Sequence, residues 1–166
     1  MDNEAVNELY RRYRREIYLY LFSLCKNAEL SEDLLQETFI KALLALPDSH
    51  TNVRAWLYMV ARNLYYNHRK RLHPSISLDD CEQQPTADGQ MLESIIKSEQ
   101  QRELYAALMR LDERKREVLQ LQYFGGLSQN EIAAVLKLTA QNVRVLAYRA
   151  KRELKSLMEE NGYDIS

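Results

Sequence analysis

Residues 127–154 read LSQNEIAAVLKLTAQNVRVLAYRAKREL, and two stripes of different chemistry run through them at one helical period. Val143, Ala147, Ala150 and Leu154 recur at i, i+4, i+7 and i+11, the spacing of a helix seated on a core. Gln141, Arg144, Val145, Tyr148, Arg149 and Arg152 share the opposite side, with Asn142 beside them. That side is basic, carries an aromatic ring and has few acids. Upstream, Ser128 is a natural N-cap with Glu131 at the capping-box position, followed by Ile132, Ala133, Val135 and Leu136 as a short buried face. Two short helices joined by a tight turn make a helix-turn-helix, whose second helix can enter a major groove. The alternative is an ordinary helical hairpin with a solvated charged face.

The rest of the chain is expected to be helical too. Its 166 residues contain 4 Gly and 3 Pro, 46% are hydrophobic, and Leu, Glu, Lys, Arg and Ala are abundant. We expect an all-α protein of two small helical domains joined by a flexible linker, the second containing the helix-turn-helix. The linker is residues 74–98, where two prolines, a glycine and small polar residues interrupt any amphipathic pattern. It separates domains at 1–73 and 99–166, both near the lower size limit for an independent core.

In the first domain, Val6, Leu9, Tyr10, Tyr13, Ile17, Leu21 and Leu24 recur at helical spacing. A second helix is expected from Ser31 to about Leu46, before Pro47, and a third from about Val53 to Arg71. In the second domain, helices are expected over 100–111 and 114–123, with Gly125 and Gly126 breaking the chain before the Ser128 cap. Short, interrupted apolar runs and a polar start at Asp2, Asn3 and Glu4 predict a soluble cytoplasmic protein that does not insert in a membrane. Cys25 and Cys81 stand far apart with no ligand-spaced partner. Cys25 reads as a small buried hydrophobe, and Cys81, in a polar segment, as the better candidate for redox chemistry. No metal, cofactor or catalytic residue is expected: His50, His68 and His73 lie in polar or basic surroundings, and no Gly-rich phosphate loop is present.

A net charge of −1 argues against a nucleic-acid partner until it is divided along the chain. Residues 74–98 hold 1 basic and 5 acidic side chains, whereas 54–73 hold Arg54, Arg62, Arg69, Lys70 and Arg71 with no acid. Five basic residues lie between Arg144 and Lys155, against Glu153 alone. Two separated basic clusters suit two contacts on one polyanion, since phosphate neutralisation is local. In 53–71, Trp56, Tyr58, Tyr65 and Tyr66 interleave with Arg54, Arg62, Asn63, Asn67, Arg69, Lys70 and Arg71. Aromatic rings stack on unpaired bases, Asn reads base edges and cations hold phosphates, so this composition suits single-stranded DNA.

With these motifs in place, the chain resembles the extracytoplasmic-function (ECF) sigma factors of bacterial RNA polymerase. The resemblance rests on SEDLLQETF (31–39), AWLYMVARNLYYNHRKR (55–71), LDERKREVLQLQYFGGLSQNEIA (111–133) and VRVLAYRAKREL (143–154). It implies that 1–73 is a region-2-like domain, which binds core polymerase and recognises and melts the minus 10 element. It makes 99–166 a region-4-like domain that recognises the minus 35 element. Asp33, Leu34, Gln36, Glu37 and Phe39 then look like the contact with a coiled coil of the largest polymerase subunit, and the polymerase flap is a further expected partner. The motif from Trp56 to Arg71 looks like the element that opens and reads the minus 10 region; Asn63 matches the base-reading position of VARN, flanked by Tyr65, Tyr66 and Asn67, with Arg69, Lys70 and Arg71 on phosphates. Gln141, Asn142, Arg144, Val145, Tyr148, Arg149 and Arg152 match the minus 35 face. The resemblance also implies an anti-sigma factor and a linker that threads near the polymerase active-site channel, with a plain tether as the alternative. Two departures stand out. Lys137 occupies the turn where the family often has Gly, making a left-handed residue less comfortable. Val145 and Leu146 replace Ser or Thr followed by Arg, which exchanges polar contact for contact with thymine methyls or for altered packing. The rival readings are an operator-binding dimeric regulator, which leaves 53–71 unexplained, and an enzyme.

Overall fold

The computed structural model describes residues 3–46, 52–72 and 96–160. All its regular structure is helical, and the chain divides into two units, 1–89 and 90–166. The expected linker, apart from its last three residues, lies outside the described residues, as do His50, His73 and Cys81.

In the first unit, α1 spans Asn3–Cys25, α2 Ala28–Ala45 and α3 Val53–Leu72. The expected stripe of α1 is borne out at Val6, Tyr13, Ile17, Leu21 and Leu24, all buried. Lys26 ends α1 in the left-handed region at φ 52°, its N–H donating to the Phe22 carbonyl at 2.7 Å. The next helix starts three residues earlier than expected. Asn27 is its cap, with the side-chain oxygen accepting from the Leu30 N–H at 3.0 Å. Ser31, expected to begin the helix, is buried within it and donates to the Asn27 carbonyl at 2.7 Å. Its hydroxyl also meets the Cys25 thiol at 3.1 Å, so Cys25 is the buried small residue expected.

Contacts along the helices set their directions. Cys25 at the end of α1 meets Ser31 near the start of α2, and Tyr10 packs edge-on against Phe39 at 5.1 Å, so these helices run antiparallel. By contrast, the Tyr58 hydroxyl donates to Glu16 at 3.2 Å and the Tyr65 hydroxyl to the Leu24 carbonyl at 3.1 Å. These bonds advance in the same sense on both helices, which makes α1 and α3 parallel. Tyr20 against Tyr58, at 5.2 Å, closes the seam.

In the second unit, α4 spans Glu99–Arg110, α5 Glu113–Leu119, α6 Gln129–Leu136 and α7 Ala140–Glu160. Ser98 and Asp112 cap α4 and α5, accepting from the N–H groups of Gln101 and Lys115. The expected helix 114–123 divides: after Leu119, residues Gln120–Phe124 wind as a π turn, with the Gly125 N–H reaching the Gln120 carbonyl at 2.9 Å. Gly126 then takes φ 65°, reversing the chain toward the next cap. Leu108, Leu111, Leu119 and Ala150 form a buried cluster edged by Leu104, Leu154 and Leu157. The small side chain of Ala150 lets α7 approach the leucines closely. Buried Arg116 donates to the Met109 and Leu111 carbonyls at 3.3 and 3.2 Å, satisfying the end of α4. Lys115 ties α5 to α7 through Glu153 at 2.7 Å.

Glu16 joins the parallel helices, 3.2 Å from Arg54 and from the Tyr58 hydroxyl. Burial raises its carboxyl above the ordinary value of 4.5, outweighing the Arg54 charge and the Tyr58 hydrogen bond that lower it. A raised native value means that its stabilising contribution is complete below the ordinary value and is lost as pH rises through the native one. Glu16→Gln, which still accepts from Tyr58, is therefore expected to change stability at pH 7 by less than about 1 kcal/mol. It should also flatten the stability profile just above pH 4.5, as read by urea unfolding across that range. A loss several times larger at pH 7 would show that the Arg54 pair outweighs burial.

Candidate nucleic-acid interface

On α3 the buried stripe is Leu57, Ala61, Leu64 and Tyr65, and the opposite side carries Trp56, Asn63, Asn67 and Lys70. The latter four recur at i, i+7, i+11 and i+14, within one narrow sector of a helix. Asn63, Asn67, Lys70 and Arg71 are exposed, while Trp56 and Tyr66 are half-buried. The Arg62 guanidinium stacks on Tyr66 at 4.5 Å, and Tyr66 packs edge-on against Tyr65 at 5.0 Å. The aromatic, amide and cationic groups expected along this helix thus share an open face.

Two expected members of that set point elsewhere. Tyr65 is buried and spends its hydroxyl on Leu24, while Arg69 is buried with one terminal nitrogen 3.4 Å from the same hydroxyl. Both lie on the continuation of the core stripe, at i+4 steps from Ala61, so they brace the helix from behind. An open cleft of about 480 Å³ between α2 and α3 is lined by Glu37, Lys41, Leu64, Asn67, Lys70 and Arg71. Three cations and an amide against the single carboxylate of Glu37 give the cleft a net positive lining.

The expected set on α2 also divides. Asp33, Gln36 and Glu37 are exposed, whereas Leu34 and Phe39 are buried at 3% and 5% exposure, Phe39 against Tyr10. A helix stripe cannot serve core and solvent at once, so these two seat α2 on the unit. The reading of single residues missed Ile40 and Leu44, which stand 54% and 78% exposed beside Glu37. Their excess over a normal buried face was the available signal.

The helix-turn-helix forms as expected. Ser128 accepts from the Glu131 N–H at 3.2 Å and its own N–H donates to the Glu131 carboxylate at 2.7 Å, completing the capping box. Ile132, Ala133, Val135 and Leu136 are buried. Lys137 takes φ 59° and ψ 46°, the left-handed geometry that Gly favours. The N–H groups of Lys137 and Leu138 both close on the Ala133 carbonyl, so α6 ends in a Schellman-type wrap despite the missing Gly. Thr139 then caps α7, accepting from the Asn142 N–H at 3.1 Å.

On α7, Val143 and Ala150 are buried and Ala147 and Leu154 half-buried, as the first stripe required. Gln141, Asn142, Arg144, Val145, Tyr148, Arg149 and Arg152 are all exposed. Arg144 donates to Gln129 of α6 at 3.4 Å, and Arg152 lies over the Tyr148 ring at 5.7 Å. Leu146, by contrast, is half-buried. Among the described residues no cluster of three or more His, Cys, Asp or Glu is placed to hold a metal, and no helix is long and apolar enough to cross a membrane.

A helix-turn-helix unit with an exposed basic helix and a separate three-helix unit with an aromatic and amide face make a two-unit helical protein of the nucleic-acid-binding kind. Residues 9–73 match the family model for sigma-70 region 2, and residues 101–154 match that for sigma-70 region 4. The chain is 34% identical to the RNA polymerase sigma factor YlaC of Bacillus subtilis, over 95% of this chain and 94% of that protein. It is 28% identical to the ECF sigma factor SigM of the same organism, over 92% and 94%. In fold it is similar to the sigma factor RpoE of Bartonella quintana, solved with the anti-sigma factor NepR, at a TM-score of 0.69 and 20% identity over 92% and 96% of the two chains. The chain belongs to the ECF sigma factors, the initiation subunits that direct RNA polymerase to promoters.

The turn residue gives a direct test of local strain. Lys137→Gly is expected to raise stability by about 1 kcal/mol, because a non-Gly residue in the left-handed region carries a penalty of that order. A rightward shift of the second unit's urea midpoint would report it. An unchanged midpoint would mean that the wrap already compensates for the side chain.

Proposed function

We propose that 1–73 is the unit that binds core polymerase and opens the minus 10 element, and that 99–166 anchors on the minus 35 element, with the acidic segment 74–98 as the tether. The observation that carries this reading is the pair of exposed faces on α3 and α7. Each is rich in cations and hydrogen-bonding side chains and sits opposite a buried stripe. Asn63 reads a flipped non-template base, Trp56, Tyr66 and Asn67 hold its neighbours, and Lys70 and Arg71 take phosphates. Tyr65 and Arg69 act as positioning residues behind that face.

Asp33, Gln36 and Glu37 form the polymerase-facing surface of α2 toward the coiled coil of the largest subunit, with Ile40 and Leu44 adding apolar contact. The flap of the polymerase is a further proposed partner of the chain. Gln141, Asn142, Arg144, Val145, Tyr148, Arg149 and Arg152 meet duplex DNA in the major groove. The chain acts in the cytoplasm without catalytic chemistry of its own, since base capture offsets part of the unpairing cost, on the order of a few kcal/mol. An anti-sigma factor is proposed to hold it inactive. The support is the family membership and the similar chain of Bartonella quintana, which was solved with one.

The two faces predict separable defects in holoenzyme reconstituted with core polymerase. Asn63→Ala should reduce open complex by about tenfold or more while leaving closed-complex affinity nearly intact, measured by permanganate footprinting beside filter binding. A footprint unchanged in that variant removes the base-reading role. Arg144→Ala should weaken binding by about tenfold across sequences and lower the slope of log K against log salt by roughly 1. A salt-insensitive affinity would overturn the phosphate contacts.

A further inference from the structure

The exposed face of α7 has an internal order that goes beyond its being basic. At about 100° per residue, Gln141, Val145, Tyr148 and Arg152 fall on one ridge, directly opposite buried Val143 and Ala150. Arg144 lies to one side of that ridge and Arg149 to the other. No acidic residue occurs from Ala140 to Arg152. The ridge is therefore flanked by cations on both sides, and at its centre stands a branched aliphatic side chain that is 39% exposed, next to a tyrosine that is 63% exposed. An aliphatic group in that position gains nothing from water or from phosphates. Its complement in a major groove is the C5 methyl of thymine, the one apolar group on the base edges there.

The structure also separates Val145 from its neighbour: Leu146 is half-buried, whereas Val145 presents part of its side chain to solvent on the outer ridge. Gln141, one turn earlier on the ridge, carries the amide that pairs in two places with adenine. Cations stand on both flanks of the ridge, and Arg144 donates to Gln129 of α6 at 3.4 Å.

We infer that Val145 is a specificity-determining residue that reads a thymine methyl in the upstream promoter element, with Gln141 reading an adenine nearby, so that this chain prefers an A·T pair at the centre of its contact. This rests on the reading of the second unit as the promoter-anchoring one. Thymine differs from uracil only by that methyl, so replacing one by the other removes the contact while leaving the hydrogen bonds in place.

The test uses holoenzyme reconstituted from the full chain and core polymerase to select duplexes from a random library. In the best-bound duplex, each upstream thymine is replaced in turn by deoxyuridine. At one position the wild-type holoenzyme should lose affinity about fourfold, the factor associated with burying one methyl group. Val145→Ser, a change at an exposed site, should abolish that difference and leave the penalties at other positions as they were. If no thymine is sensitive, or if Val145→Ser keeps the full penalty, the inference is overturned and the promoter-anchoring reading stands. A holoenzyme that selects no upstream sequence overturns that reading, and this inference with it.

Discussion

Helices α3 and α7 are each set in rotation by the stripe they bury, and the rest of the molecule depends on that constraint. In α3 the Tyr58 and Tyr65 hydroxyls bond to Glu16 and to the Leu24 carbonyl, while Leu57 and Ala61 are fully buried. Twisting α3 by one residue would turn those hydroxyls out of reach of both partners and drive polar groups into the core. Unpaired buried polar groups cost roughly 1–3 kcal/mol each, so the rotation is held firmly. Asn63 and Asn67 are aimed outward as a consequence. In α7 the same is achieved by Val143 and Ala150, both fully buried. Burial here is not an end in itself; it fixes the direction of the opposite face to within a fraction of a turn.

Charge is organised at the same scale. The whole chain is close to neutral, yet 54–73 and Ala140–Arg152 are free of acids. At about 0.1 M salt the screening length is near 10 Å, so a phosphate at either face responds to neighbouring arginines and lysines more than to acids elsewhere in the chain. Near-neutrality then limits indiscriminate attraction to nucleic acid, while each cluster retains local pull. Two acidic residues packed against these helices are engaged: Glu16 with Arg54, and Glu153 with Lys115. These pairs tie helices together and leave the outward cations available.

Much of this was legible in the residues. The capping box at Ser128 and Glu131, the short face of α6 and the two stripes of α7 were readable because each depends on contacts within one or two helical turns. Ser31 and Asn27 are both good caps, and α2 starts from Asn27. The choice between them rests on Lys26 taking a left-handed turn and on a serine hydroxyl buried against Cys25. The roles first given to Tyr65 and Arg69 had a warning in the sequence, since both continue the step of four from Leu57 and Ala61. Composition marks every member of a basic cluster as outward-facing, whereas the spacing of four places these two on the buried stripe. Leu34 and Phe39 show the same effect on α2.

The sequence by itself determined the helical class, the break between two units, the helix-turn-helix and the face of α7 that is free to meet a partner. Local periodicity and capping are short-range physics, and single residues carry them. Only tertiary structure decided which aromatic and basic side chains of α3 brace the core, that the last turn after Leu119 widens into a π turn, and that Lys137 accepts a left-handed geometry. Those outcomes depend on exact backbone placement: a carbonyl at Leu24 on the neighbouring helix, a Gln120 carbonyl within reach of the Gly125 N–H, and a carbonyl at Ala133 that two N–H groups can share. Such partners are distant along the chain or defined by exact backbone position, and no local pattern encodes them.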